Sequence, residues 1–124
     1  MARISGFGGF FFRSRNPEAL ARWYEDHLGI GSIASGEHWH QEAGPTVFAP
    51  FPADTDYFGP RDQAFMLNFR VDDLDILIEH LRATGTRIDP KRMDDPAGRF
   101  AWVYDPEGNK IELWEPSESS STET

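Results

Sequence analysis

Two stretches of this chain place apolar side chains at helical spacing, and each of them follows a run of residues typical of a strand. The first stretch begins after Asn16 and Pro17, which favour a helix N-cap and the first helical position. The second follows Asp72 and Asp73, either of which can cap a helix. We therefore predict two amphipathic helices, with apolar stripes of Leu20, Trp23, Tyr24, His27 and Leu28 in the first and Leu74, Leu77, Ile78 and Leu81 in the second.

The other apolar runs predict short strands separated by turn residues. In the first half they cover residues 6–13, 32–35, 37–42 and 46–49, and in the second half residues 64–71, 100–104 and 110–115. A further short strand starts at Arg87, a loop follows over residues 91–98, and residues 105–109 form a turn. Helices set apart from strands linked as hairpins are typical of an α+β domain with mixed sheets.

The two halves repeat one plan, because Phe12-Arg13 and the cap Asn16 recur at the same spacing as Phe69-Arg70 and the cap Asp73. We predict one domain over residues 1–116, built from two pseudo-symmetric βαβββ modules whose curved sheets face each other across a cleft. The modules cover about residues 4–50 and 64–116, and residues 51–63 link them. Residues 117–124 are all Ser, Thr or Glu, and we expect them to be disordered.

The linker is unusual in carrying Phe51, Tyr57 and Phe58 among prolines and acidic residues. Aromatic side chains in such a loop often cover something. Two interpretations stay open, a lid over the cleft and a contact surface.

Composition excludes several classes of function. A net charge of −9 argues against a nucleic-acid partner, since phosphate binding needs a basic patch. The absence of cysteine excludes disulfides, thiolate catalysis and cysteine metal sites. No apolar run approaches the ~18 residues of a membrane span, and the first residues lack the apolar core of a signal peptide, so we expect a cytoplasmic protein with no membrane partner.

Three motifs resemble the vicinal oxygen chelate superfamily, which contains glyoxalase I, the bleomycin resistance proteins and the extradiol dioxygenases. They are residues 16–24 (NPEALARWY) with 27–29 (HLG), residues 69–75 (FRVDDLD) and residues 105–113 (DPEGNKIEL). The resemblance covers about residues 4–116. It implies the paired βαβββ modules, a homodimer, and in the metal-using members four cleft positions occupied by His, Gln or Glu.

Aligned through these motifs, only one of the four positions keeps a ligand type. The positions fall at Gly9, near Phe48, at Met66 and at Glu112, so three of them offer no side-chain ligand. Glu112 is therefore the only one of the four positions that could bind a metal ion. Because a single carboxylate does not make a tight metal site, no cofactor is expected.

One arrangement could restore a metal site. His38 and His40 alternate on a predicted strand and point to the same side, so that with Glu112 they would make a ligand set for Ni, Zn, Fe or Mn. The alternative is an exposed histidine pair on a hairpin, or a His40 that is hydrogen-bonded in the core.

Alternation along the strands predicts the other cleft residues. Asn68 and Arg70 share a face, as do Glu112 and Trp114. Arg13 and Arg70 could hold a carboxylate, or could instead pair with acids of the helices. Glu112 is a candidate catalytic base or a structural ion-pair partner, and Trp102 and Trp114 are either stacking walls or core residues. The predicted ligand-binding set is Arg13, Asn68, Arg70, Trp102 and Trp114.

These observations favour a small-molecule-binding protein of the glyoxalase and bleomycin-resistance type, with an aromatic cleft and without the usual metal centre. The first alternative is a lyase, isomerase or dioxygenase that uses Glu112 as base or metal ligand. The second is an interaction domain whose cleft is vestigial.

Overall fold

The structure, a computed structural model, describes residues 2–31, 38–60 and 62–118. In chain order its elements are α1 (Pro17–Leu28), β1 (Leu67–Arg70), α2 (Leu74–Ala83), β2 (Arg87–Asp95), β3 (Gly98–Tyr104) and β4 (Lys110–Pro116). The four strands form one sheet in the order β1-β4-β3-β2, in which β1 runs parallel to β4 and the other neighbours are antiparallel. The predicted α+β class with a mixed sheet is confirmed.

Both helices begin at the caps that the sequence predicts. The Asn16 side chain accepts a hydrogen bond from the backbone N–H of Ala19 at 3.3 Å, and that of Asp73 accepts one from Ile76 at 3.1 Å. Gly29 ends α1 in the left-handed region at φ 70°. Neither helix in the described part of the chain is long and apolar enough to cross a membrane.

The core lies between the two helices and one face of the sheet. It is made of buried side chains from α1, α2, β3 and β4, with Leu67 and Phe69 of β1 and Ile88 of β2 packed against it. Its buried members are Leu20, Tyr24, Leu74, Ile78, Leu81, Ala101, Val103, Ile111 and Leu113. The helical stripes predicted by periodicity are therefore the surfaces that meet the sheet.

The second half forms the whole predicted module of strand, helix and three strands, but one of its segments differs from expectation. Residues 91–98, predicted as a loop, lie mostly in β2, where Arg92 pairs with Ala101 and Met93 with Phe100. The register shifts between Ile88 and Arg92, a stretch that contains Pro90. Charged residues and a proline are typical of an edge strand, and they hid this one from the hydrophobic pattern.

In the first half, only α1 is regular within the residues that the structure describes. Residues 6–13, 38–42 and 46–49 are not strands, contrary to prediction. A strand needs a neighbour for its backbone hydrogen bonds, and these segments lie outside the sheet formed by the second half. The strand predicted at 32–35 and residues 119–124 of the predicted disordered tail lie outside the described residues, and the proposed domain and module boundaries stay predictions.

The turn at residues 105–109 joins the two halves. Asp105 is buried, and its carboxylate accepts hydrogen bonds from the Tyr24 hydroxyl at 2.7 Å and from the Asn109 side chain at 2.7 Å. It also accepts the backbone N–H groups of Glu107 and Asn109 at 2.9 and 3.0 Å. Burial, and next the bond to Asp105, raise the pKa of Tyr24 above the usual range, so the hydroxyl stays a donor.

Glu107 of the same turn holds the chain just before α1. Its carboxylate accepts the Ser14 hydroxyl at 2.7 Å and the backbone N–H groups of Arg15 and Asn16 at 2.9 and 3.0 Å. These bonds, that from Ser14 first, lower the pKa of Glu107. Two acidic side chains of one turn thus fix both the start and the middle of α1 against the sheet.

We predict that Asp105→Ala lowers the free energy of unfolding by about 3 kcal/mol, because it leaves the buried Tyr24 hydroxyl and the half-buried Asn109 amide without their acceptor. Urea unfolding followed by circular dichroism measures this change. The matched control is Glu79→Ala, which removes a carboxylate from an exposed ion pair with Arg82 and should change stability by less than about 0.5 kcal/mol. Equal losses in the two variants would contradict the role assigned to Asp105.

Candidate functional site

The face of the sheet that points away from the helices carries polar and aromatic side chains in register. Asn68, Glu112 and Trp102 are neighbours across β1, β4 and β3. The next row along the strands consists of Arg70, Trp114, Phe100 and Met93. Because side chains alternate between the two faces, both rows lie opposite the core. We call this surface the open face.

Glu112 is the centre of the open face, and its side chain is 8% exposed. One carboxyl oxygen accepts a hydrogen bond from the Asn68 amide at 2.6 Å, and the other accepts one from the Trp102 indole N–H at 3.1 Å. The Tyr57 hydroxyl also donates to that second oxygen. Three donors from two strands and the linker therefore surround one buried carboxyl group, which meets the need of a buried acid for hydrogen-bond partners.

Tyr57 brings the linker onto the open face. Its ring meets that of Trp102 edge to face at 6.1 Å and stacks on Phe51 at 5.6 Å. The Lys110 ammonium donates to the backbone carbonyl of Tyr57 at 2.8 Å. Burial, and next the hydrogen bond to Glu112, raise the pKa of Tyr57 above its usual range. Of the two interpretations of the linker, the described contacts match a cover over the open face.

Aromatic rings form the floor of the site. Trp102 is 1% exposed, and the Lys91 and Lys110 ammonium groups lie 5.9 and 5.7 Å from the centre of its ring. Phe100 and Trp114 stack nearly in parallel at 6.1 Å, and the Trp114 indole donates to the Ala97 carbonyl at 3.0 Å. Trp102 and Trp114 are therefore both buried and part of the open face, which joins the two alternatives that the sequence left open.

Arg70 lies on the open face but binds the protein itself. Its guanidinium donates to the backbone carbonyls of Glu42 and Pro45 at 2.7 and 2.5 Å, and to the Thr46 hydroxyl at 3.1 Å. A Cβ at Gly44 would stand 2.9 Å from the Arg70 Nε, so glycine allows this close approach. The partners of Arg70 are thus two backbone carbonyls and one hydroxyl of residues 42–46, whereas the sequence suggested a ligand carboxylate or acids of the helices.

Arg13 lies elsewhere. It is exposed and lines a polar pocket of about 340 Å³ with Asp62, Glu107 and Asn109, beside the turn that holds α1. The arrangement does not bring Arg13 and Arg70 together as the two halves of one carboxylate clamp. Of the predicted ligand-binding set, Asn68, Arg70, Trp102 and Trp114 share the open face, and Arg13 does not.

The predicted metal ligands do not form a recognisable metal site. His38 and His40 are exposed and lie outside any strand, whereas Glu112 is buried among three hydrogen-bond donors. Across residues 2–31, 38–60 and 62–118, no three His, Asp or Glu side chains come together in a group that could hold a metal ion. A metal centre of the kind implied by the resemblance therefore does not fit the described side chains.

Tyr57 is the member of the site that strand alternation could not assign. The sequence signal was the presence of aromatic side chains in a proline-rich linker, which indicated a lid or a contact surface but did not select one residue. The partner of Tyr57 depends on how the linker folds back, and no periodicity reports that. Chemically, the arrangement offers a hydrogen-bond acceptor, an amide donor and aromatic surfaces under a loop attached by few contacts, a combination typical of small-molecule sites.

We predict that the tyrosines of the folded chain resist ionisation near pH 10. The pKa values of Tyr24, Tyr57 and Tyr104 are all raised, in each case first by burial and next by a hydrogen bond to a carboxyl group. Since an ordinary tyrosine has a pKa near 10, absorbance at 295 nm at pH 10.5 should rise by less than half as much in the native chain as in urea.

The same shifts give the direction of the pH dependence. Groups whose pKa is raised by folding contribute stability that is fully present below about pH 10 and is lost as the pH rises further. The free energy of unfolding should therefore fall above pH 10. A native titration that coincides with that of the unfolded chain would show that these hydroxyl groups lack the contacts described.

The fold and the site together define a class of protein. A model of the Glyoxalase/Bleomycin resistance protein/Dioxygenase superfamily matches residues 6–113. This chain therefore belongs to that superfamily, as the three sequence motifs indicated. No curated protein matches the chain.

Two solved structures match nearly the whole chain. TnmS3, an antibiotic binding protein from Streptomyces sp. CB03234, is 25% identical with a TM-score of 0.62, and the match covers 94% of this chain and 100% of TnmS3. VPC_CASS1, from the mobile metagenome of V. Pseudocholerae, is 24% identical with a TM-score of 0.60 over 95% of this chain and 99% of that protein. The second likeness concerns the fold alone.

Proposed function

We propose that this protein binds a small organic molecule on the open face of its sheet and does so without a metal ion. The observation that carries this proposal is the environment of Glu112. Its carboxyl group is buried, is bordered by the rings of Trp102 and Tyr57, and is held by hydrogen bonds on a rigid sheet. Such a group can fix the orientation of a ligand whose remaining contacts are apolar.

Membership of the superfamily and the likeness to TnmS3 support binding rather than any single reaction. TnmS3 is an antibiotic binding protein, and its match spans all of its own chain. A fold alone does not decide function, so the argument depends on the aromatic floor and the single polar anchor. The net charge of −9 adds weak support for a ligand that is neutral or cationic.

The absence of a metal centre is proposed from the chemistry of the ligand set. Gly9, Phe48 and Met66 stand at the other three positions of the family's pattern, and none of them supplies a hard oxygen or nitrogen ligand. The fourth, Glu112, already accepts three hydrogen bonds. Three of the roughly four acceptor sites of this carboxylate are therefore already occupied by donors of the protein.

The proposal predicts ligand binding that depends on Glu112. A panel of planar aromatic and cationic compounds is titrated against the full chain by thermal shift, where a bound ligand raises the Tm by mass action. Compounds that bind should lose about tenfold in affinity in Glu112→Gln, which keeps the shape of the side chain but removes its charge. Glu79→Gln, on the outside of α2, is the matched control and should leave their affinity unchanged.

If equal affinity is found in Glu112→Gln and in the unaltered protein, the open face is not the binding site. The proposed absence of a metal ion is tested in two ways. The metal content is measured in protein purified without a histidine tag, and the Tm is followed during titration with nickel, zinc, iron(II) and manganese. Stoichiometric metal, or a metal-induced shift abolished by Glu112→Ala, would overturn the metal-free proposal. That result would favour the lyase, isomerase or dioxygenase alternative.

We further propose that the protein acts as a homodimer. Several large apolar side chains in the first half are exposed, including Ile4 at 90%, Phe11 at 92% and Phe48 at 81%. Phe7 is 61% exposed, and its ring lies 6.1 Å from that of Phe48, so these two side chains form one patch. An apolar patch contributed by separate segments is characteristic of an interaction surface.

We predict that size-exclusion chromatography with multi-angle light scattering gives twice the mass of one chain. Phe7→Asp together with Phe48→Asp should reduce this to the mass of one chain, because a charge in an apolar interface is desolvated without a partner. Ile76→Asp is the control, since Ile76 is 68% exposed on α2 and belongs to neither of the segments that carry Phe7 and Phe48. A single-chain mass for the unaltered protein at all concentrations would exclude the dimer.

A further inference from the structure

The phenol of Tyr57 lies on the open face between Glu112, Trp102 and Phe51. Its hydroxyl donates to the Glu112 carboxyl group, its ring is edge-on to Trp102, and Phe51 stacks on it at an interplanar angle of 9°. A polar end, an aromatic wall and an aromatic cover thus surround one six-membered ring. These are the contacts that a bound aromatic molecule would make.

The linker that carries this ring is bonded to the sheet through Gln63 and Lys110. At its base, the Gln63 side chain bonds the backbone of Lys110 in both directions, at 2.8 and 2.9 Å. Nearer the ring, Lys110 bonds the carbonyl of Tyr57. Within the described residues, 51–60 contain turns but no helix or strand. The Gln63 contacts can therefore persist while the Tyr57 side chain leaves Glu112, since they involve a different residue of the linker.

We propose that Tyr57 is an internal stand-in for the ligand. The site takes an aromatic ring that bears an O–H or N–H donor, and the ligand binds by displacing the Tyr57 side chain from Glu112 and Trp102. This inference rests on the proposed function and specifies the class of ligand. A ring without a donor would remove one of the three hydrogen bonds of Glu112 and replace it with none.

A tethered competitor lowers the apparent affinity of the site. A side chain on a short linker acts at an effective concentration on the order of millimolar. Any ligand must overcome this local concentration, and its affinity falls by the fraction of molecules in which the pocket is open. Shortening Tyr57 should therefore both empty the pocket and strengthen the binding of a small phenol.

The test uses p-cresol, which reproduces the tyrosine side chain beyond its Cα, and 4-methylanisole, in which the hydroxyl donor is methylated. Each is titrated against the full chain and against Tyr57→Ala by calorimetry and thermal shift. We expect p-cresol to bind Tyr57→Ala at least about tenfold more tightly than the unaltered protein. We expect 4-methylanisole to bind the variant about tenfold more weakly than p-cresol does.

Two further variants make the result specific. Phe58→Ala shortens another aromatic side chain of the same linker, one whose ring lies 5.1 Å from Phe51, and it should bind p-cresol as the unaltered protein does. If Tyr57→Ala fails to fold, Tyr57→Phe takes its place, since it keeps the ring but frees the hydrogen-bonding position on Glu112. p-Cresol should then bind this variant more tightly than the unaltered protein.

Equal binding of p-cresol and 4-methylanisole, or no gain on shortening Tyr57, would overturn the inference. The proposed function is tested by a different outcome. If compounds of the wider panel bind in a Glu112-dependent way while p-cresol shows no preference for Tyr57→Ala, small-molecule binding stands and the stand-in role falls. If p-cresol behaves as expected, the stand-in role is supported whether or not the panel contains a good ligand.

Discussion

The buried carboxylate of Asp105 is the interaction on which the rest of this structure depends. It closes the turn between β3 and β4 by accepting two backbone N–H groups, and it accepts the Tyr24 hydroxyl from α1. Closing the turn sets the register in which Trp102 faces Glu112. A slip of one residue would move Glu112 to the face that packs on the helices. One side chain thus fixes both the docking of the first half and the geometry of the site.

Glu112 meets the same physical problem as Asp105 with a different outcome. Both are buried acids whose carboxylates accept several hydrogen bonds, from side chains and backbone N–H groups at Asp105 and from side chains at Glu112. The donors to Asp105 belong to its own turn and to a helix of the core. One donor to Glu112 belongs to the linker, whose ring lies over the sheet. The first carboxylate is therefore structural, while the second has one partner in the linker that, in our proposal, a ligand replaces.

Local sequence signals predicted the elements whose stability is local. Both helices follow from periodicity and from the caps Asn16 and Asp73, and β3 and β4 follow from apolar runs around a strong turn. The start of the edge strand β2 was predicted at Arg87, but residues 91–95 were predicted as a loop because six of the nine residues of β2 are charged. The first-half strands were predicted from apolar runs, but an apolar run does not reveal whether a neighbouring strand exists to pair with it.

The site residues also fall into two groups, those on strands, which the sequence could predict, and those that depend on irregular segments, which it could not. Strand alternation correctly grouped Asn68 with Arg70 and Glu112 with Trp114, because the side-chain period depends only on the strand itself. Alternation could not identify Tyr57 as a partner of Glu112. It also could not predict that residues 42–46 would accept the hydrogen bonds of Arg70, since both contacts depend on how irregular segments fold back. These are long-range contacts made by loops, which carry function but leave no periodic trace.

The proposed metal-free site also accounts for an acid in this position. With Gly9 and Met66 at the matching positions on the first strands of the family's pattern, a lone buried carboxylate would have no cation to balance it. Here N–H and O–H donors stabilise the carboxylate in place of a cation. The Lys110 ammonium lies 5.2 Å from the centre of the Tyr57 ring. Donors stabilise a buried acid without drawing it into a closed coordination sphere. An acid held in this way can exchange one donor for another, which is the property that ligand binding on this face requires.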